Sequence, residues 1–147
     1  MVRLHREDDF ETVIQIWYEA QCAAMPELMA REIYSFEDGR NYFKKVIAVE
    51  NQIWVYESDD RPVAFLALNK DFIDRLYVDP KYHRRGIGQA LMDYAKVLSP
   101  NHLWVCTHVA NTMARSFYEK NGFIAEKFGI SPPPESEPDV EYHWRKP

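Results

Sequence analysis

The chain has 147 residues, 46% of them hydrophobic and 14% aromatic, the make-up of one packed domain spanning residues 1–147 and not of a disordered segment. Its 23 acidic and 18 basic side chains leave a formal charge of −5, which argues against a general nucleic-acid binder, whose surface must be basic. No apolar run reaches the ~20 residues that cross a bilayer, the N-terminus turns acidic at Glu7 without an apolar stretch, and Cys22 and Cys106 have no metal-ligand spacing, so a cytoplasmic protein with reduced thiols, no metal and no membrane partner is expected.

In chain order, Met1 to His5 is a short strand. Asp8 and Glu11 are spaced as a helix cap and its third residue. Phe10, Val13, Ile14 and Trp17 then recur at helical spacing, a stripe that reads as core. The helix runs on toward Cys22, and Pro26 interrupts it. Glu27 to Tyr34 reads as a second short helix, Asp38-Gly39 as a break, and Tyr42, Phe43, Val46 and Ile47 as another helical stripe. From Gln52 the period changes. Gln52–Glu57 and Val63–Leu68, linked by the polar Ser58-Asp59-Asp60-Arg61-Pro62, read as a hairpin. Phe72–Val78 is the third strand, with Phe72, Asp74, Leu76 and Val78 on one face and Ile73, Arg75 and Tyr77 on the other.

Pro80 ends that strand, having no N–H for a sheet ladder. The turn His83-Arg84-Arg85-Gly86-Ile87-Gly88-Gln89-Ala90 follows, and a helix with Ile87, Ala90, Leu91, Tyr94 and Leu98 in its stripe leaves it. The first N–H groups of that helix have no partner inside it, its dipole makes this end positive, and two arginines stand beside it. That is an anion site suited to phosphate. It is not a P-loop, because no Gly-Lys-Ser/Thr follows, and Leu91 leaves a Rossmann fingerprint incomplete. His102–Val109 is the next strand, so strand, helix and strand form a right-handed parallel crossover with the anion turn at a strand's carboxyl end. Asn111–Lys120 is a compact helix closed by Asn121-Gly122, Phe123–Glu126 a strand, Ser131–Asp139 a proline-rich acidic loop, and Val140–Trp144 the last strand.

Two segments carry a family resemblance. The glycine turn resembles the pyrophosphate loop of the GNAT superfamily of acyl-CoA-dependent N-acetyltransferases, which reads Gln/Arg-x-x-Gly-x-Gly/Ala; here His83 takes the first place. Asn111, Ala114, Tyr118, Gly122 and Phe123 match the family's second motif, Asn-x-x-Ala-x-x-x-Tyr-x-x-x-Gly-Phe, one helix and one strand later. The resemblance implies an α/β (α+β) fold with a mixed, largely antiparallel sheet flanked by helices. It implies an enzyme that moves an acetyl group from acetyl-CoA to a primary amine by direct attack in a ternary complex. The amine would belong to a protein lysine, an N-terminus or a small molecule. A non-catalytic acyl-CoA-binding sensor is the alternative.

By the same resemblance, Leu76, Tyr77 and Val78 offer backbone to the pantetheine arm, and Arg84, Arg85, Gly86, Ile87, Gly88, Gln89 and Ala90 hold the pyrophosphate. Asn111 contacts pantetheine, and Tyr118 lies near the thioester sulfur and acts as the general acid. The family's glutamate base falls at Phe72, which takes no proton. Asp74, two residues on, is the expected catalytic carboxylate, with His108 another candidate base. Glu135, Glu137 and Asp139 are expected to form an acidic rim that steers a cationic amine. Monomer and homodimer remain open.

Overall fold

The computed structural model describes residues 1–31, 33 and 35–147. Its centre is a mixed sheet of strands β1 (Val2–Leu4), β2 (Gln52–Ser58), β3 (Arg61–Asn69), β4 (Phe72–Val78), β5 (His102–His108), β6 (Ile124–Ile130) and β7 (Pro138–Arg145) in the order β1-β2-β3-β4-β5-β7-β6. All neighbours pair antiparallel except β4 and β5, which are parallel. The helices are α1 (Phe10–Ala24), α2 (Pro26–Ala30), α3 (Phe36–Tyr42), α4 (Ala48–Glu50), α5 (Ile87–Leu98) and α6 (Thr112–Lys120), and a π turn (Phe43–Ile47) joins α3 to α4.

Strand β3 is buried from Pro62 to Leu68, as a central strand covered on both faces must be. Its alternate residues feed two cores. Ala64, Leu66 and Leu68 share a core with Leu91, Met92, Tyr118 and Tyr142 on the α5–α6 side. Phe65 and Ala67 meet Val13, Ile14, Phe43 and Ile47 on the α1 side.

The expected fold class and the order of elements hold. Asp8 does not cap α1: Asp9 instead closes the turn before it, accepting from the Arg6 N–H, and β6 runs on to Ile130, past the expected end at Glu126. Four further local differences follow. Asp38-Gly39 does not break a helix. Ser35 caps α3, Asp38 completes its capping box, and Gly39 is required by packing, since a Cβ there would stand 2.5 Å from the Trp17 ring. The α5 stripe turns further than the spacing suggested: Ile87, Leu91, Met92 and Ala95 are buried while Leu98 is exposed. The helix expected over Glu27–Tyr34 is observed as α2, and Glu32 and Tyr34 at its expected end lie outside the described residues.

The fourth difference concerns β4. A bulge places Asp74 as an extra residue against β3, between the pairs Ala67–Arg75 and Leu68–Ile73. The alternation slips there. Ile73 therefore joins Leu76 and Val78 on the α5 side, while Asp74 turns to Asn51, beside the α1-side core. The face assignment read from strict alternation is corrected at this point.

Among the described residues, the ladder between β4 and β5 consists of Phe72–Trp104 and Ile73–Val105. Beyond those pairs they diverge, and the sheet opens as a V toward the carboxyl ends of both strands.

Candidate functional site

The edge of β4 that faces the opening carries backbone groups that no neighbouring strand takes up among the described residues. Asp79 N–H donates to Val63 C=O at 2.8 Å. By the alternation of an antiparallel ladder, Tyr77 then bonds toward β3, and the N–H and C=O groups of Leu76 and Val78 turn toward the cleft. His83 marks the same edge, donating from Nε2 to Val78 C=O at 3.2 Å. Tyr77 thus presents its side chain and not its backbone: its hydroxyl accepts from Gln21 Nε2 on the α1 side.

At the end of β4, Asp79 caps a short turn through its own Oδ1, which accepts from Lys81 N–H. The chain then needs two left-handed residues, Arg84 (φ 64°) and Gly86 (φ 76°), to enter α5. Gly86 is the cap of α5, and a Cβ on it would point into open space, so a ligand can approach this backbone. Ala90 N–H is bonded to Gly86 C=O, which leaves the first N–H groups of α5 directed at the opening. Gly88 lies against Val78 and Phe117, and this contact holds the helix start beside the cleft. Arg84 and Arg85 are exposed, with Arg85 over the Tyr82 ring. The Gln89 side chain is used elsewhere, donating to Asn121 and Asp93. It and Ile87, which is buried, contribute to the loop through backbone.

Asn111 caps α6, its Oδ1 accepting from Ala114 N–H at 3.1 Å, and it also lines the cavity described next. Tyr118 is buried among Phe117, Phe123 and Tyr142. Among the described residues no hydrogen bond reaches its hydroxyl. Burial first, and then the neighbouring Tyr77 phenol, push its pKa well above the usual tyrosine value, so the hydroxyl stays protonated and able to donate.

On the α1 side the V opens into a cavity of about 530 Å³. Its walls come from Arg75 and Tyr77 of β4, Thr107 and His108 of β5, Trp17 and Gln21 of α1, Tyr42 of α3, and the β6–β7 loop. Asp38, Glu135 and Asp139 line it together with Arg75 and His108. His108 Nε2 lies 3.2 Å from Glu135 Oε2, and His108 Nδ1 is buried with no partner among the described residues. A buried N–H without an acceptor is costly. The neutral ring therefore keeps its hydrogen on Nε2, toward Glu135, and its lone pair on Nδ1. His108 in turn holds the Glu135 carboxyl below its ordinary value. Cys106 also borders the cavity, but burial and the charges of Glu141 and Asp139 push its thiol up to about 11.

Asp74 is not among the described residues that line this cavity. Its Oδ2 accepts from Asn51 Nδ2 at 2.8 Å and its Oδ1 pairs with Arg75 Nη1 at 3.3 Å. Phe72 lies against Trp104 on the far side of the bulge, with ring centroids 4.3 Å apart. The expected acidic rim is also different from its outline in the sequence. Glu137 pairs with Arg31, Arg31 Nη2 donates to Glu135 C=O, and Glu135 pairs with His108. Two of the three carboxylates are held by partners and fasten the loop over the cavity. The sequence flagged His108 and Glu135 separately; their pairing depends on a loop closure that no local pattern reports.

Comparison with known proteins bears on the family and the fold. Residues 50–125, just over half of the chain, match the family model described as "Acetyltransferase (GNAT) domain". A peptidyl-lysine N-acetyltransferase, YjaB of Salmonella typhimurium, is 32% identical over 123 residues, covering 83% of this chain and 81% of that protein. The solution structure of apo YjaB from Escherichia coli superposes with a TM-score of 0.75 at 22% identity, over 100% of this chain and 98% of that one. A putative streptothricin acetyltransferase from Bacillus anthracis, solved in complex with acetyl coenzyme A, superposes with a TM-score of 0.62 at 22% identity, over 70% of each chain.

Proposed function

The chain belongs to the GNAT family of acetyltransferases and is an acetyl-CoA-dependent acyltransferase, and from that premise we propose that it acetylates the side-chain amine of lysine in a peptide or protein. The observation that carries this reading is the V between β4 and β5, which joins an anion-binding helix start to an acidic cavity. Pyrophosphate lies on the N–H groups from Gly86 to Gln89, with Arg84 and Arg85 adding charge. The pantetheine arm runs along the free edge of Leu76 and Val78 and past Asn111. The thioester then ends near Tyr118. A lysine enters from the α1 side, its methylenes along Trp17 and Tyr42 and its ammonium among Asp38, Glu135 and Asp139. The name of the YjaB relative supports the lysine.

The chemistry follows from the groups present. A lysine amine of pKa ~10.4 is protonated near neutral pH, and freeing its lone pair costs about 4–5 kcal/mol. In this reading the proton leaves through water, because Asp74 is committed to Asn51 and Arg75 and the free Nδ1 of His108 is buried away from the cavity. The neutral amine attacks the thioester carbon, and a backbone N–H of β4 stabilises the oxyanion. The C–S bond breaks, Tyr118 donates its hydrogen to the departing CoA sulfur, and the amide product loses its second N–H proton to water. Direct transfer is favoured over an acetyl-cysteine route, because the Cys106 thiol, held near 11, is not an activated nucleophile.

The test is thiol release from acetyl-CoA with lysine-containing peptides, peptides with lysine replaced by arginine, and polyamines as acceptors. Lysine-dependent release with a matching mass gain on the peptide is expected. Release with polyamines alone would move the acceptor to small amines.

A further inference from the structure

At the closed end of the V, four titratable side chains form one hydrogen-bonded row. His102 Nδ1 lies 2.8 Å from Asp71 Oδ2, His102 Nε2 lies 2.8 Å from His143 Nδ1, and His143 Nε2 lies 2.7 Å from Glu141 Oε2. The two imidazoles stack at 17°, and the Trp104 ring lies parallel to His143.

Counting hydrogens fixes the charge of this row. Ionised carboxylates only accept, so both outer ring nitrogens carry hydrogens. Two neutral imidazoles have two hydrogens between them, and both are then used. The inner contact would set two lone pairs against each other at 2.8 Å. It needs a third hydrogen, which makes the pair a shared imidazolium between two carboxylates.

The row also sits where the cleft is hinged. Asp71 immediately precedes β4, and its C=O accepts from Trp104 N–H at 2.9 Å. The β4–β5 pairs seen among the described residues, Phe72–Trp104 and Ile73–Val105, come directly after it. His102 opens β5, and His143 and Glu141 stand on β7. The geometry points to a proton-held clasp: Asp71, His102, His143 and Glu141 take up one excess proton in the folded chain and thereby fix the angle at which β4 and β5 part. These are positioning residues, and none touches the reacting atoms. Their effect on the cofactor rests on the cleft being the CoA site.

The charged groups around the row set the sign of its pH dependence. Glu126 and Arg145 form an ion pair beside it, and Lys127 and Cys106 stand opposite Glu141 on the flanking strands. The hydrogen bond from His102 holds the Asp71 carboxyl below its ordinary value, so this end of the row keeps its charge into mild acid. The clasp is present while the rings share three hydrogens and both carboxylates are ionised. It is lost as pH rises and the third hydrogen leaves.

Two measurements decide the matter. Nitrogen-resolved NMR of the ligand-free protein, titrated from about pH 5 to about pH 8, where histidine changes charge, counts the hydrogens on the two rings. Three at the acid end, falling to two, are expected; two throughout, or four at the acid end, would overturn the clasp. Calorimetry with CoA over the same range then compares the wild type with His143→Gln and His102→Gln. Wild-type affinity is expected to fall several-fold more steeply with pH than that of either variant, all three having the same circular dichroism. Equal pH dependence in all three refutes a link to the cleft. If one variant does not fold, the other carries the comparison. Absence of CoA binding by the wild type refutes the CoA reading of the cleft and with it that link, while the hydrogen count still decides the shared proton.

Discussion

Two residues separate chemistry from packing most sharply. The Tyr118 hydroxyl has no hydrogen-bond partner among the described residues, while its ring is packed on three sides. Tyr118→Phe keeps the ring, so stability is expected to move by less than the ~1 kcal/mol of one hydrogen bond. If Tyr118 supplies the hydrogen to the sulfur, kcat falls by up to ~10²-fold with an unchanged acetyl-CoA KM; a normal kcat would remove it from the mechanism. The raised pKa has a second consequence: no loss of activity on the alkaline side is expected from Tyr118 below the ordinary tyrosine range. Gly86→Val places a branched side chain at φ 76° and into the open approach to the α5 N–H groups. A strain of about 1–2 kcal/mol and loss of CoA binding are expected, read by melting temperature and calorimetry. Gly88→Ala, whose Cβ meets only ordinary contacts at 3.5 Å and beyond, is expected to bind nearly normally. Both glycines were legible because a turn into a helix announces them. The surroundings of Asp74 were not, because a bulge is one unpaired residue and leaves the apolar pattern on either side intact.

Periodicity found nearly every helix and strand, since each buries a stripe or a face. What it missed is instructive at Gly39. Asp-Gly reads locally as a turn, but here the missing side chain makes room for Trp17 from another helix, and only tertiary packing decides between the two. The β6–β7 loop is the opposite case: its composition was plain and its arrangement was not. Arg31 fastens it to the end of α2 through Glu137 and the Glu135 carbonyl. Exposed pairs of this kind are worth about 0–1 kcal/mol, so Glu137→Gln is expected to leave the melting temperature nearly unchanged. It frees the loop over the cavity, however. The KM of a lysine peptide is expected to rise by up to about 5-fold, equivalent to ~1 kcal/mol, while the acetyl-CoA KM stays constant. A rise in both would place the loop in the cofactor site instead.

For the molecule as a whole, the acid limit of stability lies at the sheet's other edge. Arg3 on β1 donates to both oxygens of Asp9 and to Glu57 on β2, and these side chains are mostly shielded from water. The hydrogen bonds from Arg3 hold the Asp9 carboxyl below its ordinary value. A depressed carboxylate stabilises the fold above its unfolded-state pKa, and that contribution fades as pH falls through the folded one. Asp9→Asn is expected to cost about 2 kcal/mol near neutral pH, less than the ~3–5 of a wholly buried pair because Glu57 remains. The difference from the wild type should shrink in acid, as measured by denaturant unfolding at several pH values. A constant difference would mean that Asp9 acts by shape alone.

The V between β4 and β5 bears on more than catalysis. Past Ile73 and Val105 the β4–β5 ladder lacks its rungs, and among the described residues the backbone groups of Leu76 and the Val78 N–H have no strand partner on that side. A pantetheine arm lying there would act as a borrowed strand, closing two half-sheets into one. Cofactor and fold would then share a single equilibrium: at a ligand concentration of 100 times Kd the native state gains about 2.7 kcal/mol. On that footing the lifetime of the folded chain in a cell follows the supply of acetyl-CoA, and starvation for it weakens the enzyme's hold on its own shape before it slows the reaction.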